Sequence, residues 1–101
     1  MFVALWEYEV KPGCEKRFVK VYGPQGDWAK LFRIDANYQE TRLLHDPENP
    51  ANFLTLDFWA SRPAYENFMA THAAGYKRLD AAGKELTLRE KKIGWFELVS
   101  N

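Results

Sequence analysis

The chain is predicted to be an α+β domain, a ferredoxin-like βαββαβ antiparallel sheet with helices on one face; two observations predict it and a third predicts that it pairs with a copy of itself. Segments of strand and helix character follow one another in the order strand, helix, strand, strand, helix, strand. The 101 residues make one domain, 1-101, with no room for a second core. Three of the strand segments carry apolar side chains on both faces, which a sheet with one helical layer and one wet face does not need.

Phe2 to Val10 is rich in aromatic and β-branched residues and ends at Lys11-Pro12-Gly13, a strand followed by a turn. Residues 14–22 place Phe18, Val21 and Tyr22 at helical spacing, and Gly23-Pro24-Gln25-Gly26 breaks that helix. Asp27 is a plausible N-cap for a second short helix over residues 27–33, with Trp28, Leu31 and Phe32 on one side. Tyr38 to Asp46 forms the second strand, and Pro47-Glu48-Asn49-Pro50 turns the chain. Phe53 to Ala60 is the third strand.

Ser61-Arg62-Pro63 pairs a capping residue with a proline in the first helical turn. The helix it opens is expected to continue to about residue 82. On it Tyr65, Phe68, Met69, His72, Tyr76 and Leu79 fall within about 60° of one line. Thr87-Leu88-Arg89-Glu90 has the form of a capping box, which predicts one more helical turn ending at Gly94. Trp95 to Val99 is the expected last strand.

The face reading is specific. Strand one carries Phe2, Ala4, Trp6, Tyr8 and Val10 on one side but Val3 and Leu5 on the other. Strand three sets Leu54, Leu56 and Phe58 against Phe53 and Trp59, and the last strand sets Trp95 and Val99 against Phe96 and Leu98. An apolar second face with no helix to cover it predicts a homodimer, the alternative being a C-terminal segment folded back across it.

Composition excludes several functions. Fourteen basic and fourteen acidic residues balance to zero, so nothing draws the chain to nucleic acid or to an anionic membrane over distance. The βαββαβ order also fits an RNA-recognition sheet, but strand three lacks the basic-glycine-aromatic core of that signature. No apolar run nears the roughly 18 residues of a membrane helix, and no charged and apolar leader precedes the first strand. With one cysteine, Cys14, a cytoplasmic location is expected. Two histidines and one cysteine far apart give no metal motif, the Gly23–Gly26 segment is no phosphate loop, and no dinucleotide fingerprint occurs, so no cofactor is expected.

Four stretches carry a family resemblance: LWEYEVKPGCEKRF, YGPQGDWAKLFR, LTLDFWASRPAYENFMATHAAGYKRLD and LTLREKKIGWFE. In their order and spacing the chain resembles the antibiotic biosynthesis monooxygenase (ABM) domain family. The resemblance implies a dimeric α+β barrel, two sheets face to face, with a ligand cavity between sheet and helices in each protomer. It also implies a range of activities, from metal- and flavin-free oxidation of polycyclic phenols to haem degradation. Quinone-forming members line their cavity with a strand Trp, a helix Tyr, a strand His, an Asn and an Arg. Trp59, Tyr65 and His45 match three of these; the Asn place falls near Thr55, a departure, and Arg78 matches loosely. The haem-degrading pattern of Asn, Trp and His meets Glu7, Phe68 and Arg78, which disfavours that activity.

Each candidate has two readings. His72, between Phe68 and Tyr76 in the apolar stripe, is either a base for a phenolic proton or a structural histidine donating to a carbonyl. Tyr65 and Tyr76 either orient a substrate or find one core partner. Trp59 either stacks on a flat ligand or is plain core, and His45, beside Asp46-Pro47, either faces the site or lies exposed near a hairpin end. Asp57 is a charge in an apolar strand; it either enters a polar pocket or pairs with Arg42, and that pairing needs one register while a His45–Thr55 neighbour relation needs the other parity. The resulting expectation is a cofactor-independent monooxygenase acting on a phenol or hydroquinone, with His72 and Tyr65 catalytic. Trp59, Tyr76, Phe68, His45, Thr55 and Arg78 would contact the substrate. The alternative is a non-catalytic dimeric module that binds a small hydrophobic metabolite.

Overall fold

A computed structural model describes residues 1–100 and has eight elements. They are β1 (Phe2–Val10), α1 (Glu15–Tyr22), α2 (Asp27–Phe32), β2 (Tyr38–Asp46), β3 (Asn49–Trp59), α3 (Arg62–Thr71), α4 (Ala73–Lys84) and β4 (Thr87–Glu97). The four strands form one antiparallel sheet in the order β2-β3-β1-β4, the ferredoxin-like topology.

Register decides which side chains meet the helices. Trp6 lies opposite Thr55, Ala4 opposite Asp57 and Phe2 opposite Trp59, so these six share the helix-side face. On β2, Thr41 opposes Asp57 and His45 opposes Phe53 on that same face. Arg42 opposes Leu56 on the other face, where its guanidinium lies 5.8 Å from the centre of the Phe58 ring. Asp57 and Arg42 therefore cannot pair, and the pocket reading of Asp57 is the one the register supports.

The core is an aromatic layer between sheet and helices. Phe18 and Tyr22 of α1 stack at 4.3 Å and meet Tyr8 of β1 from above. Trp59 is fully buried, with Phe32 of α2 at 5.3 Å, Tyr65 of α3 at 5.6 Å and Phe68 at 5.2 Å. Edge-to-face packing of this kind adds about 0.5–1.5 kcal/mol per pair to the burial of the rings themselves.

Four expectations need correction. Residues 87–94 are not a helical turn; they are the first part of β4, paired to β1 from Thr87↔Val10 onward. A capping box lowers the cost of a helix start, but the open edge of β1 offers a full ladder of backbone bonds, and the ladder wins. The pairing slips between Leu5/Gly94 and Trp6/Lys92, leaving Ile93 as a bulge, and Gly94 takes φ +154, open to glycine and strained for other residues.

The helix after Ser61 is not continuous. It breaks at His72 (φ −110, ψ 32), dividing α3 from α4, so one unbroken helical periodicity does not run through residue 72. The third strand begins at Asn49, because Pro47 and Glu48 complete the turn alone. The cap of α2 is Gly26, and Asp27 is its first residue, where a carboxylate still favours the helix N-terminus. The Ser61 reading holds: its Oγ accepts the Ala64 N–H at 3.2 Å, with Pro63 in the first turn.

Candidate active site

Between the helices and the helix-side face of the sheet lies a cleft open at one side. Trp6 and Tyr8 of β1 with Thr55 and Asp57 of β3 form its floor, because strand alternation turns those residues, and not Glu7 or Leu56, toward the helices. Tyr22, Trp28 and Phe32 of the two short helices wall one side, and Tyr65, Met69 and Tyr76 of α3 and α4 wall another. Asp80 and Glu90 complete the lining. Its unfilled space is about 450 Å³ counting mouth and crevices. Measured as a water needs it, roughly 10–15 Å³ each, the cleft offers about 30 Å³, room for two or so waters. A ring-sized ligand must therefore displace lining atoms, and Met69, with its flexible thioether, is the side chain suited to yield.

Asp57 is the charge set deepest in the sheet. Its Oδ1 accepts the Thr41 hydroxyl at 2.6 Å, and Thr41 Oγ1 lies 2.7 Å from the Tyr38 hydroxyl. The Thr41 hydrogen is committed to Asp57, so Tyr38 donates to Thr41. Burial pushes the Asp57 carboxyl up to about 6, and the Thr41 bond pulls the other way. Burial also raises the phenols of Tyr8, Tyr65 and Tyr76 above their usual value, so each is a neutral hydroxyl at physiological pH. Glu90 is raised by burial and by the nearby Asp80, with Lys84 opposing. Lys84 also holds an ion pair with Asp80 at 3.2 Å. The charged side chains of the lining are thus Asp57, Asp80 and Glu90, with no Lys, Arg or His beside them, and the cleft suits a neutral ligand over an anion.

Of the eight site candidates read from sequence, Tyr65, Tyr76 and Thr55 line this cleft. Trp59 and Phe68 lie in the core, Trp59 edge-on to Tyr65 and Phe68 against Trp59, and neither reaches the lining. His72 sits at the α3–α4 break with its ring stacked on Phe68 at 4.5 Å, outside the lining. His45 is exposed and stacks on Phe53 at 5.9 Å; Arg78 is exposed on α4. Trp6 and Tyr8 were legible as one face of strand one, and Tyr22 and Trp28 as helix stripe residues, but Glu90 was hidden by the helical reading of its segment. Among the described residues no group of three or more His, Cys, Asp or Glu is placed to hold a metal ion.

The sequence pattern of antibiotic biosynthesis monooxygenases matches residues 1–76, three quarters of the chain. The chain belongs to the ABM family. Solved structures agree on the ABM fold. SnoaB, a cofactor-independent oxygenase from Streptomyces nogalater, superposes with a TM-score of 0.80 at 16% identity, over 99% of this chain and 94% of that one. An antibiotic biosynthesis monooxygenase superposes at 0.73 and 17% identity, over 99% and 100% of the two chains. A conserved protein from Methanosarcina mazei Go1 superposes at 0.71 and 14%, over 94% and 89%. No curated protein matches the sequence. Among the described residues, no helix of this ABM domain is long and apolar enough to cross a membrane.

Proposed function

We propose that this ABM protein is a cofactor-independent monooxygenase that oxidises a small neutral aromatic, of phenol or hydroquinone type, in the cleft between sheet and helices. The observation that carries this reading is the lining itself: aromatic walls for a flat ring, neutral tyrosine hydroxyls to orient it, and one carboxylate beneath. The chemistry balances without a bound redox group. A phenol and O2 give a quinone and water, so the substrate supplies the electrons and one oxygen atom enters its ring. The protein's part is to hold the ring, exclude water and assist removal of the proton whose loss makes the substrate easily oxidised. Tyr65 and Tyr76 position the ring, with Thr55 on the floor; Trp59 fixes Tyr65 by edge-to-face contact from behind.

The proposal includes a homodimer. The sheet face away from the helices carries Val3, Leu5, Leu54, Leu56, Phe58 and Phe96 on one side by register. Phe96 and Leu44 remain about half exposed there. A second copy packed on this face would bury it.

The test is oxygen uptake by the metal-free protein over a panel of hydroquinones and anthrones. Uptake above buffer, with quinone formed, is expected. Saturable binding of the same compounds with no uptake would leave a binding module in place of an enzyme.

A further inference from the structure

We propose that Asp57 is the proton acceptor of the site, taking the phenolic hydrogen of the ligand onto Oδ2, the carboxylate oxygen that Thr41 leaves free. This rests on the reading of the cleft as a phenol site and deepens it by naming the group that takes the proton.

Placement carries the argument. On the helix-side face of the two central strands, β1 presents Phe2, Ala4, Trp6, Tyr8 and Val10, and β3 presents Phe53, Thr55, Asp57 and Trp59. Asp57 is the one carboxylate on that surface. A charge set into an aromatic layer is costly, and local conflicts of that kind are expected where a site needs them. The carboxylate is also held for one purpose. Oδ1 is occupied by the Thr41 hydroxyl, itself fixed by the Tyr38 hydroxyl, while Oδ2 has no hydrogen bond among the described residues, and Asp57 is one of the residues that line the cleft. Because Thr41 donates to Oδ1, the same arrangement serves both states: the second oxygen can gain a proton without breaking the chain behind it.

The step balances. The phenol O–H bond breaks with its electron pair left on the phenol oxygen, a new O–H bond forms on Asp57, and the pair keeps one negative charge throughout. No counter-ion is needed, which fits a lining without a basic side chain. The titratable groups around Asp57 are Tyr38 on β2, Tyr8 on β1 and Tyr65 on α3, all raised by burial and all uncharged near neutrality. Arg33 and Glu40 act on Tyr38. Asp80, Glu90 and Lys84 stand on α4 and β4. Thr41 and Tyr38 are positioning residues.

Two arms test the assignment. Without oxygen, tryptophan quenching compares 1-naphthol with its methyl ether, which has no hydrogen to give. The wild type should bind the naphthol at least about tenfold more tightly, and Asp57→Asn should reduce that preference to about twofold or less. With oxygen, Asp57→Asn should lower the uptake rate on the best substrate by about 10² or more, the span of general base catalysis. The wild-type kcat/KM should fall below about pH 6, and Thr41→Val should move that limb to higher pH by removing the bond that favours the anion. A wild type that binds phenol and ether alike overturns the proposal whatever the oxygen arm shows. So does an Asp57→Asn rate within threefold of wild type, or a loss confined to His72→Ala, which would assign the proton to the histidine. If the phenol preference depends on Asp57 but no compound consumes oxygen, the monooxygenase reading falls and Asp57 stands as the ligand's acceptor.

Discussion

Gly83 of α4 lies against the hydroxyl end of Tyr22 of α1, so closely that a Cβ at position 83 would overlap the phenol oxygen. This contact joins the last helix to the first and fixes one wall of the cleft, since Tyr22 is a lining residue. Gly83→Ala must push Tyr22 aside or part the two helices. Overpacking of this sort costs about 1–3 kcal/mol, expected as a lower urea midpoint with an unchanged slope. Tyr22→Phe in the same chain removes the clashing oxygen and should recover part of the loss. A double variant no more stable than Gly83→Ala alone would show that the contact is not the cause.

Asp57 should make stability depend on pH. Its carboxyl titrates at about 6 in the folded chain against 3.8 for an ordinary aspartate, because burial disfavours the charge. The folded state therefore binds the proton more tightly than the unfolded one. This group's contribution is greatest below about pH 4 and is lost as pH rises through about 6. Asp57→Asn, which carries no charge at any pH, should gain on the wild type across that window, by on the order of 3 kcal/mol at neutral pH. Urea unfolding of both chains at pH 4 and at pH 7.5 measures the change. An equal gap at both values would contradict it.

On the far face of the sheet, Leu56 lies between Leu5 and Arg42 among the apolar residues proposed to meet a second copy. Leu56→Glu places a charge at that surface without touching the helix side. Sedimentation should give twice the 11.8 kDa chain mass for the wild type and a single chain for the variant, with the helical signal retained. A wild type that sediments as a monomer at micromolar concentration removes the dimer.

Ser61 should be a sensitive surface position. Its side chain caps α3 by accepting the Ala64 N–H. Ser61→Ala leaves that N–H without its side-chain acceptor and is expected to cost about 1 kcal/mol, read as a lower melting temperature, while Ser61→Asp should retain most of the stability. Equal losses in both variants would argue against the cap.

Much of this fold was legible because its signals are local. Lys11-Pro12-Gly13 ends β1, Gly23 to Gly26 separates α1 from α2, and Ser61 with Pro63 starts α3, each through the backbone chemistry of a few neighbouring residues. The two-faced strands were legible too, since strand alternation needs no knowledge of the partner strand. What the sequence could not fix was set by pairing across the sheet. Thr87 to Gly94 has the residues of a helix start and becomes strand because β1 offers it an edge; the energy that decides lies in residues more than seventy positions away. The placement of Asp57 followed the same rule, since Thr41 and Arg42 are adjacent in sequence and point to opposite faces, and only the β2–β3 register chose between them. His72 shows the limit of periodicity from the other side: the centre of a regular apolar stripe stands at the helix break with its ring on Phe68, outside the lining that Tyr65, Met69 and Tyr76 share. Local chemistry determined the elements and their order; long-range pairing decided which side chains share the site.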